Sequence, residues 1–424
     1  MAYRSRKVLV ATIVVAGAIF PAASAQGSLS QPSVVSDNPA NFTPNIIDDA
    51  VVPKSSVDAL VQVGNTMYAG GAFNSVQDSS RTNTVTRANL MSFDASTGAI
   101  NDFAPDVNKK VFALASDGTD LYVGGYFSRV NGVYRRGIAK IDPVSGEVVR
   151  AFNARLKGPV QEIRLTNGRL IVGGKFPQRL LALDPDTGAD TGYIDIDIEG
   201  SVASNAGKTD VYRFAVDPSG TRLVAIGNFT TVNGQAQSRA FMLDLNADSA
   251  SLSSWYYEPL MNSCRAARLP AYLRDVDFAP DGSYFVVDST GFVPFSGGLD
   301  RDLCDSVARF ETDILNPTRP TWINYSGGDT FHSIAVTGAA VYVQGHFRYL
   351  DNPTYGSVAQ TAVPRQGVGA IDPTTGLALP WNPGKSRGVG GKDIYVTSTG
   401  VWFGSDTPRF AREFRSDLAF LPLG

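Results

Sequence analysis

The chain has 424 residues, of which 43% are hydrophobic and only 18% charged, and its 37 basic and 40 acidic side chains leave a net charge of −3. A slightly acidic surface argues against nucleic acid or anionic lipid as a partner. Length alone would suggest about three domains, but repeat architectures grow by adding units, and 42 glycines, above the usual share of about 7%, call for many tight turns.

At the N-terminus, residues 1–25 combine a basic start (Arg4, Arg6, Lys7), an apolar run from Val8 to Phe20 and the small-residue end Ala23-Ser24-Ala25. This pattern predicts a secretory signal cleaved before Gln26, because the apolar run is shorter than the roughly 20 residues a membrane span needs. Cleavage removes three of the 37 cations, leaving 34 basic against 40 acidic residues in a secreted chain with no membrane insertion. Residues 26–38, rich in Ser, Gln and Pro, read as a flexible lead-in, and residues 39–424 as a single domain.

Within that domain a short phrase returns at a spacing of about 50 residues. Ala59 to Phe73 reads ALVQVGNTMYAGGAF and Ala113 to Phe127 reads ALASDGTDLYVGGYF; relatives end at Phe176, Phe229 and Phe347. Each phrase is two apolar runs joined by a hairpin signal. A third run follows, then an Asp-Pro-x-x-Gly turn such as Asp142 to Gly146, then a segment opened by an aromatic: Phe103, Phe152, Tyr193, Trp255, Trp322 or Trp381. Pro, Gly and Asp each suit such a turn, so these aspartates are turn residues rather than metal ligands. The paired glycines, Gly70-Gly71 for example, permit close approach where one unit packs on the next. Arg87, Arg136, Arg179, Arg239 and Arg365 recur near the third run and suggest a contact between units.

The count of runs gives an all-β, seven-bladed β-propeller of four-stranded antiparallel blades. An orphan strand at Phe42 to Asp49 precedes the first unit, and the last unit lacks a fourth. The N-terminal strand is therefore expected to close the last blade beside Leu418 to Leu421, removing an open edge.

Through its LYVGGxF runs, Val130-Asn131-Gly132, Val232-Asn233-Gly234 and the aspartate turns, the chain resembles the secreted actinobacterial propellers built of the delta-sixty repeat, which are similar in shape to kelch propellers. The resemblance implies a propeller and export. It carries no catalytic residues, because that family has no established common activity.

Connections between the second and third runs, and from one unit to the next, are long and unlike one another, which places loop variation on one face, where binding residues usually sit. The richest stretch holds Tyr256, Tyr257, Arg265, Arg268 and Tyr272, and a second loop holds His346 and Tyr349. Aromatic and Arg clusters of this kind suit sugar stacking or a protein hot spot. The leading expectation is a non-catalytic, monomeric scaffold presenting this face to an extracellular glycan or protein, with no cofactor and no metal. The alternative is a carbohydrate-active enzyme using paired carboxylates, with Glu258 and Asp302 foremost and Asp275, Asp305 and Asp329 also candidates. Cys264 and Cys304, the two cysteines of the chain, are expected to form a disulfide in an oxidising compartment.

Overall fold

A computed structural model of the protein describes residues 29–202, 207–265, 272–295, 297–354 and 358–424. The expected signal segment lies outside the described residues. The architecture is all-β, and a four-residue 3-10 helix, Glu258–Met261, interrupts the strands.

Each repeat phrase folds as expected into an antiparallel hairpin: Ser56–Val63 with Thr66–Ala72, Val111–Ser116 with Leu121–Gly125, Val160–Thr166 with Arg169–Gly174, and Asp210–Val216 with Arg222–Asn228. Leu273–Phe278 with Tyr284–Ser289, Phe331–Val336 with Val341–Gly345, and Gly391–Thr397 with Gly400–Ser405 complete the series. A third strand joins each hairpin, from Leu90–Asp94 in the first sheet to Leu418–Pro422 in the last. The fourth position is less regular than the sequence suggested. It is a strand in the fourth and fifth sheets (Ala250–Leu252 and Trp322–Tyr325) and a single bridge elsewhere, such as Phe93 to Ile100 and Ile141 to Val148.

The first strand of each sheet packs against the first strand of the next, and Gly391–Thr397 packs against Ser56–Val63. The second strand of each sheet is buried at successive residues, on both faces, because a neighbouring sheet lies on either side. The core is accordingly divided into clusters that each bridge two successive sheets, Leu114 and Val123 with Ala59 and Tyr68, for instance. Another joins Trp402, Leu418 and Phe420 of the last sheet to Val57, Leu60 and Met67 of the first. The paired glycines sit at these contacts. A Cβ on Gly70 would lie 2.5 Å from Val111 Cγ1, and one on Gly124 would lie 2.8 Å from Ile163 Cδ1.

At Arg87 and Arg365 the recurring arginine acts within a unit, which corrects the expected contact between units there, and Arg239 donates to Asn262 O at 2.9 Å in the connection that follows its sheet. Arg87 donates to Thr86 O at 2.8 Å and to Asn101 O at 2.6 Å, so its planar fork ties the third strand to the outermost segment of the same sheet. Arg365 ties Pro364 to Leu379 in the same way. In the second unit the clamp is Arg135, bonded to Tyr134 O and Arg150 O, and Arg136 is exposed. In the last sheet Arg415 bonds Phe414 O at 2.8 Å and Ala40 O at 3.1 Å.

Two expectations about the N-terminal segment need correction. Residues 42–49 do not lie along Leu418 to Leu421; Asn45–Ile47 pairs with Ser75–Gln77, a strand of the long loop in the first unit. The backbone bonds to Leu418–Pro422 come from earlier residues, Val35 bridging Leu423, Ser36 N donating to Pro422 O and Ala40 N to Phe420 O, while Phe42 packs its ring on Trp402 and Phe420. From Gln31 on, the lead-in is therefore docked rather than flexible. Val35 is buried, and the Gln31 amide donates to Thr397 O at 2.9 Å. Proline and serine at the start masked a segment whose Val34-Val35 pair has an apolar shelf to cover.

Candidate functional site

All seven first strands start with a register irregularity in which an extra residue is left unpaired opposite the second strand. A bulge re-aims the side chain it carries. Here the bulged residues are Asp58, Phe112, Gln161, Tyr212, Arg274, His332 and Lys392, one from each sheet, and all of them line a single cavity of about 390 Å³. In the fifth sheet the irregularity spans two residues and includes Asp275. This cavity forms a mouth above a second one of about 340 Å³ that is bounded by the seven first strands.

The residue after the bulge continues the wall inward. In the third, fourth, fifth and seventh sheets it is Glu162, Arg213, Asp275 and Asp393. Arg213 donates to Glu162 Oε2 at 2.9 Å and to Gln161 O at 2.8 Å, and Arg164 pairs with the other Glu162 oxygen. Burial works against the Arg213 cation, but Glu162, Asp275 and Asp393 overcome it and push its pKa up. Burial pushes Asp393 up to about 7 against the pull of Arg213, and raises Asp275 likewise. Two of these carboxyls also bond the neighbouring sheet. Asp275 Oδ2 accepts from Ile334 N at 2.9 Å, and Asp393 Oδ2 from Leu60 N at 2.7 Å, which links the last first-strand to the first.

At the mouth, Lys110 meets Asp58 at 2.7 Å, Lys392 meets Asp406 at 3.4 Å and Lys175 meets Asp210 at 3.5 Å. Burial pushes Asp210 up to about 7, and Lys175 offsets only part of that. Arg274 donates Nη1 to the Tyr272 hydroxyl at 3.1 Å and Nη2 to His332 Nδ1 at 3.0 Å. Burial, then the neighbouring Arg274, hold His332 well below the ordinary histidine range, so the ring is neutral. Among the described residues, no three His, Cys, Asp or Glu side chains are grouped to hold a metal ion.

The residues expected to form a binding face divide into two groups. Tyr272 reaches the mouth, where its ring lies 5.5 Å from that of Tyr212, and the His346 ring stands 5.7 Å from His332. Tyr349 is half-buried in a two-residue strand pairing with Val363–Pro364. The others belong to the loops over the fifth sheet, which the Cys264–Cys304 disulfide ties together with the Cα atoms 5.8 Å apart. Tyr257 is a correction. It is 1% exposed, donates to Arg301 O at 2.5 Å and packs edge-on against Phe310, so it offers no ring face to a ligand. Tyr256 reaches Met261 Sδ, and Arg265 lies over the Phe295 ring. Arg268 lies outside the described residues.

Of the alternative catalytic pair, Glu258 is exposed at the start of the short helix, whereas Asp302 is buried, accepts from Asn262 Nδ2 at 2.8 Å and packs its other oxygen against Gly298. Asp302 thus holds its own loop. Asp305, also buried, accepts from Phe292 N at 2.9 Å and is pushed up to about 7 by burial; Asp329 is bonded by Arg348 and Arg387.

The bulge column went unread in the sequence because a bulge leaves no composition of its own. Its signal was nonetheless present. Aligned on Val57, Val111, Val160, Val211, Leu273, Phe331 and Gly391, the next residue is a different amino acid in every unit, whereas the aligned position itself stays apolar or glycine.

Residues 116–148 match the family model described as a domain of unknown function (DUF5122) β-propeller. No curated protein matches the chain. Among solved structures, the chain is similar to the computationally designed Ika8 protein, at 11% identity and a TM-score of 0.46 over 89% of this chain and 98% of that one. That likeness is too low to bear on function. The all-β architecture and the match over residues 116–148 support a β-propeller family.

Proposed function

We propose that the protein is a secreted, non-catalytic propeller of seven blades, the last completed by the N-terminal segment, whose loop-rich face around the channel mouth binds an extracellular glycan or protein. The observation that carries the binding reading is the convergence of seven unlike side chains, one per sheet, on one mouth. A purely structural repeat needs the same contact each time; seven different side chains at one structurally equivalent lining position are what a ligand would require. The seven-bladed, closed reading draws on the Arg415 clamp, which holds Ala40 as Arg87 holds Asn101, and on the cluster joining the last sheet to the first. Export is supported by the disulfide, which persists in oxidising compartments.

An array of cell-wall and extracellular polysaccharides, run beside a reducing-sugar release assay, tests the function. Binding without release is expected, and Tyr272→Ala should weaken it by about 1 to 3 kcal/mol with folding nearly intact. Sugar release that Glu258→Gln or Asp302→Asn abolishes would overturn the non-catalytic reading. Binding to no polysaccharide would instead point to a protein partner.

A further inference from the structure

The two cavities differ in sign. The mouth is lined by Lys110, Lys175, Arg213, Arg274 and Lys392 against the single carboxylate Asp58. The interior carries Asp58, Glu162, Asp275, Asp277 and Asp393 against three cations. Lys110, Lys175, Lys392 and Arg213 each meet a carboxylate within 4 Å, whereas Arg274 meets none among the described residues. Asp288 lies behind it, but burial, then Asp275, drive that carboxyl toward its neutral acid.

Arg274 also sets the state of its neighbour. A guanidinium only donates, so His332 Nδ1 accepts, and the neutral ring carries its proton on Nε2. Both His332 Nε2 and Arg274 Nε are buried without a hydrogen-bond partner. Two orphan N–H donors on adjacent wall residues, one of them on a cation with no carboxylate within 4 Å among the described residues, are costly unless an acceptor arrives. An anion with two oxygens satisfies that demand. The rings of Tyr212, Tyr272 and Phe112 line the same cavity and give a sugar's apolar face somewhere to rest.

Resting on the binding-face reading above, we infer that the mouth takes an acidic saccharide, its carboxylate held by Arg274 and His332 and its ring placed against the tyrosines. The acidic interior repels the anion, so the ligand stops at the mouth rather than threading the channel.

The test is calorimetric titration of the full secreted chain with trigalacturonate, with galactotriose as the neutral counterpart, and with citrate as carboxylate without a sugar ring. Trigalacturonate should bind at least about tenfold more tightly than either, and 0.5 M salt should narrow the margin. Arg274→Gln should abolish the preference over galactotriose, and Arg274→Lys should retain part of it; melting curves of both variants establish that they fold. Equal binding of both trisaccharides overturns the acidic assignment and leaves the binding face standing. Citrate matching trigalacturonate overturns the saccharide assignment. Binding of trigalacturonate unchanged in a folded Arg274→Gln variant overturns the role of Arg274. If neither trisaccharide binds, the inference fails, and a blank polysaccharide array shows that the glycan reading beneath it fails as well. The wild-type comparison needs no variant to fold.

Discussion

A chain lacking residues 29–47 is expected to melt at a much lower temperature and to aggregate. The deletion removes the buried Val35 and Ile46, each worth about 1.5–3 kcal/mol of burial, and strips Phe42 from the cluster around Trp402 and Phe420. It also frees the outer edge of Leu418–Pro422, leaving Pro422 O and Phe420 O without the donors Ser36 and Ala40 and the Arg415 clamp without its carbonyl. The total is on the order of 5 kcal/mol or more, a large share of the stability of an ordinary domain. An unprotected strand edge is, in addition, a template for pairing with another chain. Thermal melts and size-exclusion chromatography check this, and an unchanged melting temperature with a monomeric profile would contradict it.

The second large effect is expected at Arg213. Arg213→Met leaves Glu162 with Arg164 alone and removes a cation that acts on both Asp275 and Asp393. Removing one partner of a buried ion pair costs about 3–5 kcal/mol, because the remaining charge stays desolvated. The sign of its pH dependence follows from the carboxyls. Asp393 already titrates at about 7 in the folded protein, above the ordinary carboxyl value. A group with a raised folded pKa contributes stability that is present at pH values below its unfolded pKa and lost as pH rises through the folded one. Without Arg213 that pKa rises further, and more stability disappears between about pH 4 and pH 8. Urea denaturation should therefore show a larger deficit for Arg213→Met at pH 8 than at pH 5. Equal deficits at both would mean that the channel carboxyls do not face Arg213 as described.

Much of this architecture was legible in the residues. The hairpins, the aspartate turns and the close approach at Gly70 follow from local turn chemistry and from period-two patterning, which act over a few residues and need no tertiary context. Asp94 and Asp142 accept from backbone N–H groups two and three residues ahead, as their turns require. What was misread depended on register. The choice between 42–49 and 35–40 as the segment beside the last sheet turns on which of two short apolar stretches finds the Arg415 clamp, a contact 375 residues apart in sequence. Arg135 and Arg136 are adjacent, and only the pleat decides which of them faces the sheet. Tyr257 illustrates the limit of composition, since an aromatic in a polar loop is as ready to pack on Phe310 as to stack on a sugar. The mouth was missed for the same reason, because the bulges that aim Arg274 and His332 inward are features of strand pairing.

The proposed closure at the seam is open to a direct measurement. Val35 and Leu423 form a bridge in which Ser36 N donates to Pro422 O, the arrangement of a non-hydrogen-bonded antiparallel pair, whose Cα atoms lie about 4.5 Å apart. That separation falls within the range a disulfide spans. The double variant Val35→Cys, Leu423→Cys, oxidised mildly and mapped by mass spectrometry without reduction, should yield a 35–423 cross-link alongside the native 264–304 bond, with a raised melting temperature. Free thiols at both positions in a folded protein would contradict the proposed closure.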